Sequence, residues 1–219
     1  MSTTPVRSAR RTRKAPAERA AEIVEAATGI AREHDLGALT LRAVAERAGV
    51  ASGLVAHYQP SMDDLVARVY TDLVEEEIRD VEQVVQAAGD PAGQLAALLS
   101  TLMDPGREDL TVVWVEGWAM ARRSTALQAA VLTQMQRWQS LVEGIVAEGC
   151  RRGGFATTEP GEVAWQLIGM IDGLNAQSLA RGTDTARFAQ RTARAAEALV
   201  GAPAGTIAVA ASQGSRSHR

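Results

Sequence analysis

Apolar residues recur at three- and four-residue spacing along most of this chain, the period of helices with one buried face. From about Ala17 to His34, the residues Ile23, Ala27, Ile30 and Ala31 make such a face. Asp35 and Gly37 end that helix, and Leu36 and Leu39 are expected to pack back on it. Thr40 then caps a short helix whose apolar positions are Leu41, Val44, Ala45 and Ala48, and Gly49 stands where a left-handed residue usually closes one. A second short helix runs from Ser52 through Leu54, Val55 and Tyr58 to Gln59, stopped by Pro60. Ser61 caps a long fourth helix, with Asp63 and Asp64 suited to its dipole and a stripe from Leu65, Val66, Val69, Tyr70 and Leu73 to Ile78, Val81 and Val85.

Asp90 and Pro91 open a fifth helix that ends near Met103, before Asp104-Pro105-Gly106. A sixth, about 107 to 123, carries Trp114 and Trp118 on one face with Gly117 between them, while Glu116 points largely away. Thr125 and Gln128 form a capping-box start to a seventh, bearing Leu127, Val131, Met135, Trp138, Val142 and Ile145 and ending at Gly153-Gly154. The eighth, from near Pro160 to Arg181, is apolar almost all round, so it needs cover on two sides. The ninth spans about Asp184 to Val200. Strand alternation is missing throughout, and the pattern predicts an all-α fold.

Two short helices joined by about three residues including a glycine form the helix-turn-helix pattern, whose second helix lies in a DNA major groove. An ordinary helical hairpin is the alternative. Ser52, Gly53, Leu54, Ala56 and His57 are then the residues facing base edges or backbone, with Thr40, Arg42 and Tyr58 completing the candidate contact set. Residues 17 to 66 resemble the DNA-binding domain of TetR-family transcriptional regulators. The matching pieces are Ile23 to Ala27, the LTLRAVAERAGV of Leu39 to Val50, Gly53, the His57-Tyr58 pair and the Pro60-Ser61 turn. Trp114 to Trp118 and Ile171-Asp172-Gly173-Leu174 resemble the BetI-type subgroup of the family's variable C-terminal domain. The resemblance implies a homodimeric, cytoplasmic transcription factor, most often a repressor, released from a palindromic double-stranded operator by a small-molecule effector. The chain departs from the family pattern at Ala56, where a phosphate-contacting Tyr is common, at Met62, where a Lys is, and at Gln59, where a core Phe is. A ligand-binding helical protein with weakened or lost DNA binding is therefore the alternative function, Arg42, Arg47 and the basic N-terminus being the cations that would compensate.

Charge sharpens this picture. The net charge of −3 divides unevenly, with nine Lys or Arg against six Asp or Glu over residues 1–61 and fourteen against twenty beyond. A basic end on an acidic body suits contact with a polyanion at one end. Residues 1–15, with Arg7, Arg10, Arg11, Arg13 and Lys14, read as a disordered basic arm. Residues 16–61 form the DNA-binding domain, 62–200 a six-helix ligand-binding and dimerisation domain, and 201–219 a disordered tail.

Chemistry is sparse. The single cysteine, Cys150, allows no internal disulfide. No apolar run nears the roughly 18 residues of a membrane span, and the N-terminus has no signal-peptide core. No HExxH, Walker, GxSxG or CxxC motif occurs, so neither an enzyme, a metal site nor a cofactor is expected. All four tryptophans fall in the C-terminal body. The candidate effector site is Trp114, Trp118, Met135, Trp138, Trp165 and Asp172, the aspartate falling seven residues after Trp165 on the same face. A buried carboxylate needs a partner. A cationic ligand stacked on indole faces would supply one, as would an internal Arg.

Overall fold

In a computed structural model, residues 15–181 and 186–209 are described. Among them the chain forms nine α-helices and one 3-10 turn, with no strand. The helices are α1 (Pro16–Glu33), α2 (Leu41–Arg47), α3 (Ser52–Tyr58), α4 (Met62–Ala87), α5 (Pro91–Leu102), α6 (Glu108–Ala121), α7 (Thr125–Arg151), α8 (Pro160–Arg181) and α9 (Ala186–Val200). The 3-10 turn, Pro105–Arg107, leads into α6. The fold is all-α, as the periodicity predicts.

The caps act where the residue types place them. Thr40 Oγ1 accepts from Ala43 N–H at 3.1 Å, Ser61 Oγ from Asp64 N–H at 3.1 Å and Asp90 Oδ1 from Gly93 N–H at 2.9 Å. Each such bond is worth about 1 kcal/mol. Gly49 closes α2 with φ +64°, a left-handed conformation that glycine adopts without strain. Asp35 acts through its side chain, Oδ1 accepting from Ala38 N–H at 2.6 Å. At α7 the cap is Ser124, not Thr125, with Oγ accepting from Leu127 N–H at 3.3 Å.

Ile23, Ala27, Ile30 and Ala31 of α1 meet Val44, Ala45 and Val55 of α2 and α3 in the same continuous buried cluster that runs along α4 into the body. The α4 stripe is buried along its length, from Leu65 to Val85. Helix α4 therefore spans from the helix-turn-helix to the packing surface of α5, α6 and α7.

The C-terminus departs from expectation. Residues 201–209, read as the start of a disordered tail, fold back over the body. Ile207 is buried, and its N–H donates to Oε1 of the equally buried Glu197 at 2.9 Å. A lone isoleucine among small residues carries no periodic signal, which is why the pattern missed it. The expected tail over 210–219, the arm over 1–14 and the ninth helix's start at Asp184 lie outside the described residues.

Candidate functional site

The helix-turn-helix presents its candidate contacts to solvent. Thr40, Arg42, Ser52, Gly53, Ala56 and His57 are exposed, whereas Leu54 and Tyr58 are half-buried. Val55 alone of α3 is fully buried, so one face of the helix holds it in place and the other remains free. The His57 ring stands edge-on to Tyr58, with centroids 5.1 Å apart. Arg47, expected as a compensating phosphate partner, is already engaged. Its guanidinium grips Glu33 through two bonds of 2.5 and 2.6 Å, holding that carboxyl below its usual range.

The second site lies in the body. Trp114, Val115 and Trp118 of α6, Met135 and Trp138 of α7, and Ile168, Ile171, Asp172 and Asn175 of α8 surround one cavity with Glu77 of α4 and Arg107. Five of the six expected residues are thus brought together. Trp165 is not. It is 66% exposed and outside the cavity. The seven-residue spacing does share a helix face, but at 1.5 Å per residue it also moves Trp165 roughly 10 Å along the axis, below the turns that reach the cavity.

Close packing shapes this site. Trp114 stands edge-on to Tyr70 at 5.6 Å and tilted to Trp118 at 5.9 Å. A Cβ added at Gly117 would fall 2.6 Å from a Tyr70 ring carbon, so glycine here lets α6 approach α4. The cavity is small, with about 40 Å³ of water-accessible space. It is also rich in unmet polar demand. Trp118 Nε1 and Arg107 Nε, both from its lining, are buried with no hydrogen-bond partner among the described residues, as is Oη of Tyr70 behind Trp114.

Its electrostatics centre on two carboxylates. Glu77 is 5% exposed and accepts from Trp114 Nε1 at 2.9 Å and from an Arg107 nitrogen at 3.4 Å. Burial raises its pKa, against the pull of those two donors. Asp172 has no hydrogen bond or ion pair among the described residues, and burial, then the nearby Glu77, push it from 3.8 to about 7. Glu77 is the residue that sequence reasoning missed. It lies seven residues after Tyr70 and four after Leu73, an acid on an otherwise apolar stripe, and that misfit was the available signal.

Residues 91–201 match the family model for the BetI-type transcriptional repressor C-terminal domain, and residues 23–69 that of the bacterial regulatory proteins of the tetR family. The chain belongs to the TetR family of transcriptional regulators. It is 28% identical to the HTH-type transcriptional regulator BetI of Burkholderia cenocepacia and 26% identical to BetI of Burkholderia lata, each over 71% of this chain and 79% of the relative. A structure from Saccharomonospora viridis, described as a transcriptional regulator in complex with choline, superposes with a TM-score of 0.70 at 20% identity, covering 80% of this chain and 94% of that one. Among the described residues of this TetR-family chain, no helix is long and apolar enough to cross a membrane, and no cluster of His, Cys, Asp or Glu could hold a metal.

Proposed function

We propose that this regulator is a homodimeric repressor, released from a two-fold operator when a small cation occupies the tryptophan cavity. In this reading residues 16–61 bind DNA through the α3 face, and 62–200 sense the ligand and dimerise. The observation that carries the ligand class is Asp172, a carboxylate without a partner beside Trp114, Trp118 and Trp138. A desolvated anion among aromatic faces attracts an organic cation by charge and by cation–π contact, and the choline held by the Saccharomonospora viridis protein belongs to that class. Ligand binding shifts a population between DNA-competent and released forms, and the helix that moves is α4, which joins the two regions.

The test is calorimetric titration of the parent and of Asp172→Asn with choline, beside its neutral isostere 3,3-dimethylbutan-1-ol. Choline binds the parent and binds Asp172→Asn at least tenfold more weakly, while the neutral isostere shows no such difference. Equal choline affinity in the two proteins removes Asp172 and the cation from this reading.

A second reading is favoured by one observation. With Ala56 and Met62 in place of usual phosphate contacts and Arg47 held by Glu33, the helix-turn-helix has few cations of its own for DNA, the exposed Arg42 being the one in no ion pair among the described residues. Mobility-shift titration across salt separates the two. A repressor shows operator retention with a steep salt slope, whereas a ligand binder that has lost its operator shows neither.

A further inference from the structure

Two hollows meet at one ion pair, Glu77 and Arg107. The inner cavity holds the tryptophans and Asp172. An outer groove between α1, α4 and α6 is lined by Arg32, Glu76, Asp80 and Asp109. Glu77 and Arg107 line both. Arg107, on the 3-10 turn before α6, therefore forms with Glu77 the wall between the solvent-facing acidic groove and the cavity.

That wall is weakly held. Arg107 touches Glu77 at 3.4 Å through one terminal nitrogen, and its buried Nε has no partner. By contrast, Arg47 binds Glu33 through two bonds of 2.5 and 2.6 Å. An Arg uses its full strength only when bidentate, so Arg107 is a poorly satisfied cation over a buried carboxylate. The water-accessible space of the cavity is also small, about 40 Å³, and Arg107 takes up part of its wall. Asp80 and Asp109 in the outer groove have no ion pair among the described residues. They offer a displaced guanidinium somewhere to go.

We propose that Arg107 is the internal counter-cation and gate of the ligand-free cavity, and that an entering organic cation displaces it from Glu77 towards Asp80 and Asp109. The incoming cation then sits between Glu77 and Asp172, and the charge count of the cavity is unchanged. Arg107 sets selectivity as well: a neutral molecule of the same shape offers Glu77 nothing in exchange and leaves the gate shut. This rests on the reading that the tryptophan cavity takes a cation.

The experiment measures equilibrium affinity and association rate of choline and tetramethylammonium, with 3,3-dimethylbutan-1-ol as the neutral probe, on the full chain by tryptophan fluorescence. Arg107→Met keeps an unbranched stem and removes the competing charge. Choline binds this variant about tenfold more tightly, the scale of one hydrogen bond to a charged group no longer in competition, and associates faster. Choline affinity equal to or below the parent's, in a variant that melts normally, overturns the gate and leaves the cation reading standing. A parent that binds neither cation overturns both. Should Arg107→Met fail to fold, the exposed pair Asp80→Asn with Asp109→Asn decides. Loss of the receiving acids weakens choline binding at least threefold and leaves the neutral probe unchanged, and unchanged choline affinity sinks the proposal.

Discussion

Glu116 of α6 accepts a hydrogen bond from the backbone N–H of Leu36 through Oε2 at 2.7 Å. The contact ties the helix that carries Trp114 and Trp118 to the loop between α1 and α2. Glu116 lies two residues from each tryptophan, so its side chain leaves the opposite side of α6, as the 100° turn per residue requires. The bond is a direct link by which a shift of α6 at the cavity would reach the backbone next to the helix-turn-helix. Leu36 is fully buried, so its N–H has no ready substitute for the lost carboxylate. Glu116→Ala leaves that donor unmet and costs about 1–3 kcal/mol in denaturant titration. It also uncouples the two regions: choline binds as to the parent, but the ligand-induced release from DNA shrinks. Full release with normal stability removes Glu116 from the coupling path.

Asp172 makes ligand affinity depend on pH. With the carboxyl pushed to about 7 by burial and by Glu77, a cation meets a largely protonated acid at about pH 6 and an ionised one at about pH 8, so affinity rises about tenfold across that interval. Stability of the free protein moves the other way. The folded state holds its proton between 3.8 and about 7 while the unfolded chain releases it. Stability therefore falls as pH rises through that window and levels off above it, and the raised Glu77 adds to the same trend. Asp172→Asn flattens both curves. Urea titrations and calorimetry at the two ends of the window check this, and an unchanged slope in the variant contradicts the assignment.

On the DNA side, His57 is exposed and makes no hydrogen bond among the described residues beyond its edge contact with Tyr58. His57→Ala weakens operator binding by about 1–3 kcal/mol, the range for one lost base or backbone contact, and leaves the melting temperature within a degree or two. Early melting with normal DNA affinity would make it a structural residue.

What the sequence made legible was local. Thr40, Ser61 and Asp90 cap helices because a short polar side chain before an apolar run has few other uses, and Gly49 takes the left-handed turn that its position demands. Trp114 and Trp118 share a face for the same short-range reason. The misses are long-range. Glu33 is fourteen residues from Arg47 and Trp114 thirty-seven from Glu77, and nothing in the spacing of either pair announces the contact. Trp165 shows the limit of periodicity, which gives the angle of a side chain about its helix but not where the covering helices end.

That limit bears on how two copies would meet in the proposed dimer. Helix α8 buries Val163, Ala164, Leu167 and Ile171 against its own body. Its other side exposes Trp165, Gly169 and Gly173 at four-residue intervals, a stripe of one bulky and two small residues that suits close approach of a second α8 about a two-fold axis. Leu174, by contrast, packs beside Met103 and Phe188 within the chain, so substituting it tests folding rather than association. Gly169 and Gly173 are the cleaner probes. A Cβ at either meets nothing within 4 Å, and replacing glycine inside a helix gains up to about 1 kcal/mol of helix propensity. Within one chain, Gly169→Arg and Gly173→Arg should therefore be tolerated or mildly stabilising. Across a two-fold contact each would bring its charge against its own copy. Sedimentation at micromolar concentration should show a dimeric parent and a monomeric, folded double variant, whose operator affinity falls because two half-sites no longer bind one particle. A double variant that stays dimeric places the interface elsewhere, and a monomeric parent removes the two-fold operator along with it.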